Sequence, residues 1–206
     1  MSRNVSAPRY DESSLADTGL EHAGTDREVA VSAPVVTVTA LTRLYEHPAW
    51  RPVLDGAGPA KPPRSAFATK LAFDPPITDV PGVGVPSAVV GPAATYAGEE
   101  FADGLREDGL RGVRQVDRQR ARLPTCEGRT LVYETTYPHE RGDVSCRVRA
   151  TLWPTDRTFL LAGTAFPTTL PEALATDEAV PAVEPERHRR ETRDLVRGLA
   201  RRTTQE

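Results

Sequence analysis

Arg111-GVRQVDRQRARLPTCEGRTLVYETTYPHERGDVSCRVRATLWPTDRTFLLAGTA-Phe166 is the stretch that decides the fold. It reads as strand, turn, strand, turn, strand, turn, strand. Val144, Cys146, Val148, Ala150 and Leu152 fall on one face of their strand, and Ser145, Arg147, Arg149 and Thr151 on the other. In the preceding strand Leu131, Tyr133, Thr135 and Tyr137 take the inner parity; in the following one Phe159, Leu161, Gly163 and Ala165 do. Slipping the register by one residue would turn that whole set to water, so pairing is well specified. Trp153-Pro-Thr-Asp156 supplies a turn with proline preset at its second position.

Upstream, Gly98 to Leu110 carries Phe101, Ala102, Leu105 and Leu110 at helical spacing, with Glu99 and Glu100 in the first turn where the helix dipole favours them. Gly104 weakens that helix. The expected class is therefore α+β, an antiparallel meander with a packed helix. Val35 to Leu41 and Ala66 to Phe73 read as two further strands, separated by a Pro-rich connection that ends at Pro63. Pro81 to Ala94, with Gly82, Gly84 and Gly91 among valines and prolines, reads as a broken edge strand or a packed loop.

Both ends look peripheral. Residues 1–34 are polar and irregular and predict a disordered leader. A single globular domain is expected over 35–172, and 173–206 reads as a Pro-containing linker followed by an Arg-rich C-terminal helix. Leu195, Val196 and Leu199 give that helix only a narrow apolar stripe, so it is read as an appendage.

The chain has 206 residues, 38% of them hydrophobic, with 19 prolines and 15 glycines. The apolar share is below the usual globular value of about 45–50%. A net charge of -3 gives no global attraction to nucleic acid or anionic lipid. Lys61 and Lys70 are the only lysines among 26 basic residues; this bias, with the acid excess, is similar to that of haloarchaeal or actinobacterial proteins. No apolar run of about 18 residues exists, so no helical membrane span is expected, and a cytoplasmic location follows as the simplest reading. Cys126 and Cys146 suit that compartment as free thiols.

Catalytic signatures do not emerge. His139-Glu140 is not completed to H-E-x-x-H, because position 143 is Asp, and the glycines after Pro81 match neither G-x-G-x-x-G nor a P-loop. His22, His47, His139 and His188 are scattered, and no cofactor or metal is expected. Arg141-Gly-Asp143 at a hairpin tip is ordinary turn chemistry. One candidate anion-binding surface stands out: Arg118, Arg120, Glu134, Arg147 and Arg149, with Arg118 placed opposite Glu134 and Glu134 opposite Arg147. A solvated face with ion pairs of about 0–1 kcal/mol each is the plainer reading, and the one adopted. A basic arm made of Arg187, Arg189, Arg190, Arg193 and Arg197 is the sole route to nucleic acid, and it lacks aromatic residues for stacking.

The run from Phe101 to Phe166, ending in Asp156-RTFLLAGTA-Phe166, resembles the Mog1/PsbP-like fold, in particular haloarchaeal members without assigned function. That resemblance implies an α/β sandwich and a non-enzymatic binding or assembly role, with no functional residue carried over. The function expected is thus a non-catalytic binding or scaffold module of unknown partner, another protein being the class considered. The alternative is a ligand-binding protein or small enzyme with a pocket between the 98–110 helix and the 81–94 loop.

Overall fold

A computed structural model describes residues 6–33, 36–54, 59, 61–74, 86–155 and 158–203. The meander is present as β4 (Arg111–Arg122), β5 (Glu127–Tyr137), β6 (Val144–Pro154) and β7 (Phe159–Thr169). Three earlier strands, β1 (Glu21–Ala33), β2 (Val36–Glu46) and β3 (Ser65–Asp74), extend it. All seven join one sheet in the order β1-β2-β3-β7-β6-β5-β4, with every neighbouring pair antiparallel. The seam is β3 on β7, where Phe67 pairs with Gly163 and Leu71 with Phe159.

Inner parity is as the alternation predicts: Val144, Cys146, Val148, Ala150 and Leu152 are all buried. Val148, Ala150 and Leu152 lie under helix α2 (Pro86–Glu107), while Val144 and Cys146 pack with Trp50, Val53 and Leu174. That helix starts twelve residues before the expected Gly98, so the reading of 86–94 as strand or loop is corrected; 81–85 lie outside the described residues. Gly91 and Pro92 argued against a helix there, but Ala88, Ala93, Ala94 and Ala97 supply strong propensity around them. Gly98 permits close contact with β5, since a Cβ there would stand 3.1 Å from Leu131 Cδ1. The Tyr133 hydroxyl then donates to Gly98 O at 2.9 Å, and the Phe101 ring lies between those of Phe67 and Tyr133.

The opposite face of the sheet is covered in part by a helix, while Glu134 and Arg147 on it stay substantially exposed. Helix α4 (Pro185–Arg202) packs Leu195, Val196, Leu199 and Ala200 onto Trp153, Leu160, Ala162, Ala66 and Ala68. Trp153 is only 1% exposed. The C-terminal helix is therefore part of the body, and its reading as an appendage is corrected. Its buried stripe is wider than its apolar residues suggested because two polar side chains, His188 and Thr192, continue it. Thr192 bonds Thr164 of β7 and donates to His188 O at 2.8 Å, so its burial leaves no lone hydroxyl. The short helices α1 (Glu12–Ala16) and α3 (Glu172–Ala175) and a 3-10 segment (Pro48–Leu54) complete the described elements.

The N-terminal segment is corrected in the same way. Residues 6–33 are not a disordered leader. Tyr10, 2% exposed, lies in the α4-side core against the Tyr45 ring at 5.2 Å. Its hydroxyl donates to Phe67 O at 2.7 Å, and its N–H donates to the Tyr45 hydroxyl at 3.2 Å. Arg202 pairs with Asp11, tying the segment to α4. β1 reads as polar because it is an edge strand with most side chains in water.

Replacing Tyr10 by Ala should lower the urea-unfolding free energy by about 3–5 kcal/mol, the usual loss for deleting a buried aromatic. A change below about 1 kcal/mol would mean that the N-terminal segment does not belong to the core.

Candidate functional site

Irregularities in β4, between Arg111 and Arg114 and between Gln115 and Asp117, break the simple count of alternation. Each extra residue reverses which side follows. Arg114 pairs with Glu134, whereas Arg118 pairs with Leu131 and Arg120 with Arg129. Arg118 thereby reaches the α2 side, where its Nη1 donates to Thr95 Oγ1 at 2.9 Å. The expected row Arg118–Glu134–Arg147 is corrected to Arg114–Glu134–Arg147, with both guanidiniums 2.9 Å from the carboxylate. These side chains are substantially exposed, so each pair contributes about 0–1 kcal/mol. Arg147 and Arg149 stay on the face predicted for them, and α4 comes to lie beside Arg149.

On the α2 side, the sheet and helix enclose a cavity of about 690 Å³. It arises because α2 is held over β4, β5 and β6, leaving the β1–β3 part of that face uncovered by the helix. Its floor is apolar, with Val38, Ala40, Phe67, Leu71, Phe73 and Leu161; Ala97, Phe101 and Leu105 form the helical wall. Phe67, Leu71 and Phe73 are half-buried and line the open space, with the Phe67 ring also against Phe101 and the Phe73 ring against Phe159. The rim is acidic. Asp26, Glu28, Glu100 and Glu107 line it and have no ion pair among the described residues, while Lys61 pairs with Asp108 at 2.6 Å. The alternative pocket, between residues 98–110 and 81–94, is corrected accordingly: the space lies between helix and sheet, because 86–94 are helix.

A family described as a domain of unknown function, DUF6517, matches residues 7–200. The chain belongs to that family. The matched span starts ahead of Tyr10 and runs through most of α4, so the DUF6517 unit takes in both segments that the polar sequence had set aside. Comparison with curated proteins gives no match.

A buried ionic cluster ties the DUF6517 sheet to α4. Arg64, immediately ahead of β3, has a fully buried side chain whose Nη2 donates to Glu191 Oε2 at 2.6 Å. Glu191 also accepts from Arg187 Nε at 2.9 Å and faces His188 Nδ1 at 3.1 Å. Burial pushes the Glu191 carboxyl up, but His188, Arg64 and Arg187 outweigh it and hold the group below its ordinary value. Burial also lowers the Arg64 guanidinium. His47 N–H donates to Arg64 O at 3.1 Å, and the His47 ring is held below its ordinary value by burial first and by Arg64 and His188 next. Two histidines expected to be scattered thus lie near the Arg64–Glu191 pair, His188 in contact with the carboxylate and His47 within its electrostatic reach. No group of three or more His, Cys, Asp and Glu side chains among the described residues is placed to hold a metal ion.

These shifts have one sign. His47, its folded value lowered, stays neutral to lower pH in the folded protein, so the unfolded chain takes up its proton first as pH falls through about 6.5. Stability is lost as acidification proceeds from there, and Glu191 adds a second loss starting near the ordinary glutamate range. Urea unfolding measured between about pH 7 and 5 should show a smaller stability loss in His47→Gln than in the unaltered protein. Equal slopes would contradict the placement of His47.

Proposed function

We propose that this protein is a non-catalytic, cytoplasmic binding protein that holds an amphipathic small molecule in the cavity under α2. The apolar part lies against Phe67, Phe101 and Leu71, and a cationic head sits among Asp26, Glu28 and Glu100. The cavity carries this reading: its volume falls within the roughly 300–1,000 Å³ of small-molecule sites, and its lining combines an apolar floor with a few charged groups at the mouth. The unpaired rim acids favour a cation and disfavour a carboxylate head by like-charge repulsion.

The lining gives little support to chemistry. Cys146, the thiol within it, is pushed up to about 12 by burial, the reverse of an activated nucleophile. Tyr137 is likewise pushed up to about 12, by burial first and by Cys146 next. The Mog1/PsbP-like reading draws its support from α2 leading directly into the β4–β7 meander, and remains an analogy of fold. No helix among the described residues is long and apolar enough to cross a membrane, and both cysteines are free, which favours the cytoplasmic placement.

Calorimetric titration with dodecylamine and with dodecanoate, each below its micellar concentration, tests the proposal. Saturable 1:1 binding of the amine, weaker by about tenfold for the carboxylate, is expected, with loss of binding in Ala97→Trp, which fills the helical wall. Binding that ignores Ala97→Trp, or a preference for the carboxylate, would refute it.

A further inference from the structure

A second ligand space lies on the other side of the sheet, independent of the cavity. Helix α4 and the strands β4, β5 and β6 enclose a polar cleft of about 350 Å³. Arg189, Arg190, Arg193 and Arg197 line its helical side, and Arg149 lines it from β6. At the strand side the Thr130 and Thr151 hydroxyls stand 2.9 Å apart, next to Gln119 on the same face. Pairing places Gln119 opposite Thr130 and Ala121 opposite Gly128, and Arg120 and Arg122 of β4 also line the cleft.

Positive charge is in excess in the cleft. Glu186 pairs with Arg189 at 3.4 Å and Asp194 with Arg193 at 3.3 Å. Arg149, Arg190 and Arg197 have no ion pair among the described residues. Arg149 is half-buried, and its guanidinium is held below its ordinary value by burial first, then by Arg189 and Arg147, against the pull of Asp117 and Glu186. A half-buried cation among like charges is costly until an anion fills the space.

We infer that this cleft binds a short chain of linked phosphates, as in inorganic tripolyphosphate or the triphosphate of a nucleotide. Arg189, Arg193 and Arg197 follow one another at successive turns of α4, a ladder roughly 6 Å per step that suits an elongated anion better than a single phosphate. Guanidiniums bind phosphate oxygens in pairs, and Thr130, Thr151 and Gln119 add neutral donors at the strand side. Among the described residues no aromatic side chain lines the cleft, so bases have nothing there to stack on and the phosphates themselves are the recognised part.

The test is titration of the full chain with tripolyphosphate, ATP and orthophosphate at matched ionic strength, read by calorimetry and by melting temperature. Tripolyphosphate should bind saturably and raise the melting temperature, because a ligand held only by the folded state stabilises it. Arg149→Gln and the exposed double variant Arg193→Glu with Arg197→Glu should each weaken binding by roughly tenfold or more. Arg201→Glu, on the same helix outside the cleft, should leave the affinity within about twofold, which separates a site from general attraction. ATP binding as tightly as tripolyphosphate identifies a nucleotide's phosphates as an acceptable source; ATP excluded identifies the free chain. Tripolyphosphate no better than orthophosphate, or equal weakening by Arg201→Glu, would overturn the inference. So would a single-stranded oligonucleotide that outcompetes tripolyphosphate, which would make the cleft part of a nucleic-acid surface.

Discussion

Everything in this fold hangs on β7 being covered from both sides. Its residues from Phe159 to Thr164 are all buried, a continuous run instead of an alternating one. Phe159 and Leu161 contribute to the α2 side, and Leu160, Ala162 and Thr164 to the α4 side. Gly163 sits at the tightest point, where a Cβ would fall 1.8 Å from Arg149 O. That approach lets β6 pair closely on one edge of β7 while β3 pairs on the other. The β3–β7 seam then joins residues far apart in sequence, so the N-terminal strands and the meander form one cooperative sheet rather than two small ones.

A sheet buried on both faces divides the molecule's chemistry. On the α2 side the helix is drawn onto β4–β6 by Gly98 and Tyr133, and the remaining part of that face is left as an apolar cavity with an acidic rim. On the α4 side the helix is held by Leu195 and Leu199 at one end and by the Arg64–Glu191–His188 cluster at the other. Removing one partner of a buried pair such as Arg64–Glu191 leaves a stranded charge, a loss of about 3–5 kcal/mol, so the polar half of α4 is tied to the sheet through that contact. The two proposed ligands differ in sign because the two faces do.

The meander was legible in the sequence because period-two alternation is a direct record of one face being buried. Register was legible across β5 and β6, where Glu134 does lie opposite Arg147. It failed across β4, because nothing in Arg111–Arg122 announces a bulge; that error placed Arg118 opposite Glu134, where Arg114 stands. The N-terminal segment was misread because β1 is an exposed edge and its anchors, Tyr10 and Leu20, are single residues set among polar ones or glycine. Helix α4 was undervalued since His188 and Thr192 occupy core positions that apolar counting skips; their spacing with Leu195 and Leu199 was the available signal. The cavity itself leaves no trace in the sequence, because Phe67, Leu71 and Phe73 look the same whether they meet a helix or open space.

Native-state hydrogen exchange in low urea tests the two-faced single sheet most directly. If β7 unites the molecule, the slowest amides of β3, β6 and β7 and those of α4 open together, with free energies within about 1 kcal/mol of one another, while edge strand β1 frays earlier. If β3 and its neighbours exchanged with an opening free energy lower by about 2 kcal/mol or more than β6 and β7, the seam would not bind the halves into one unit, and the account would fail.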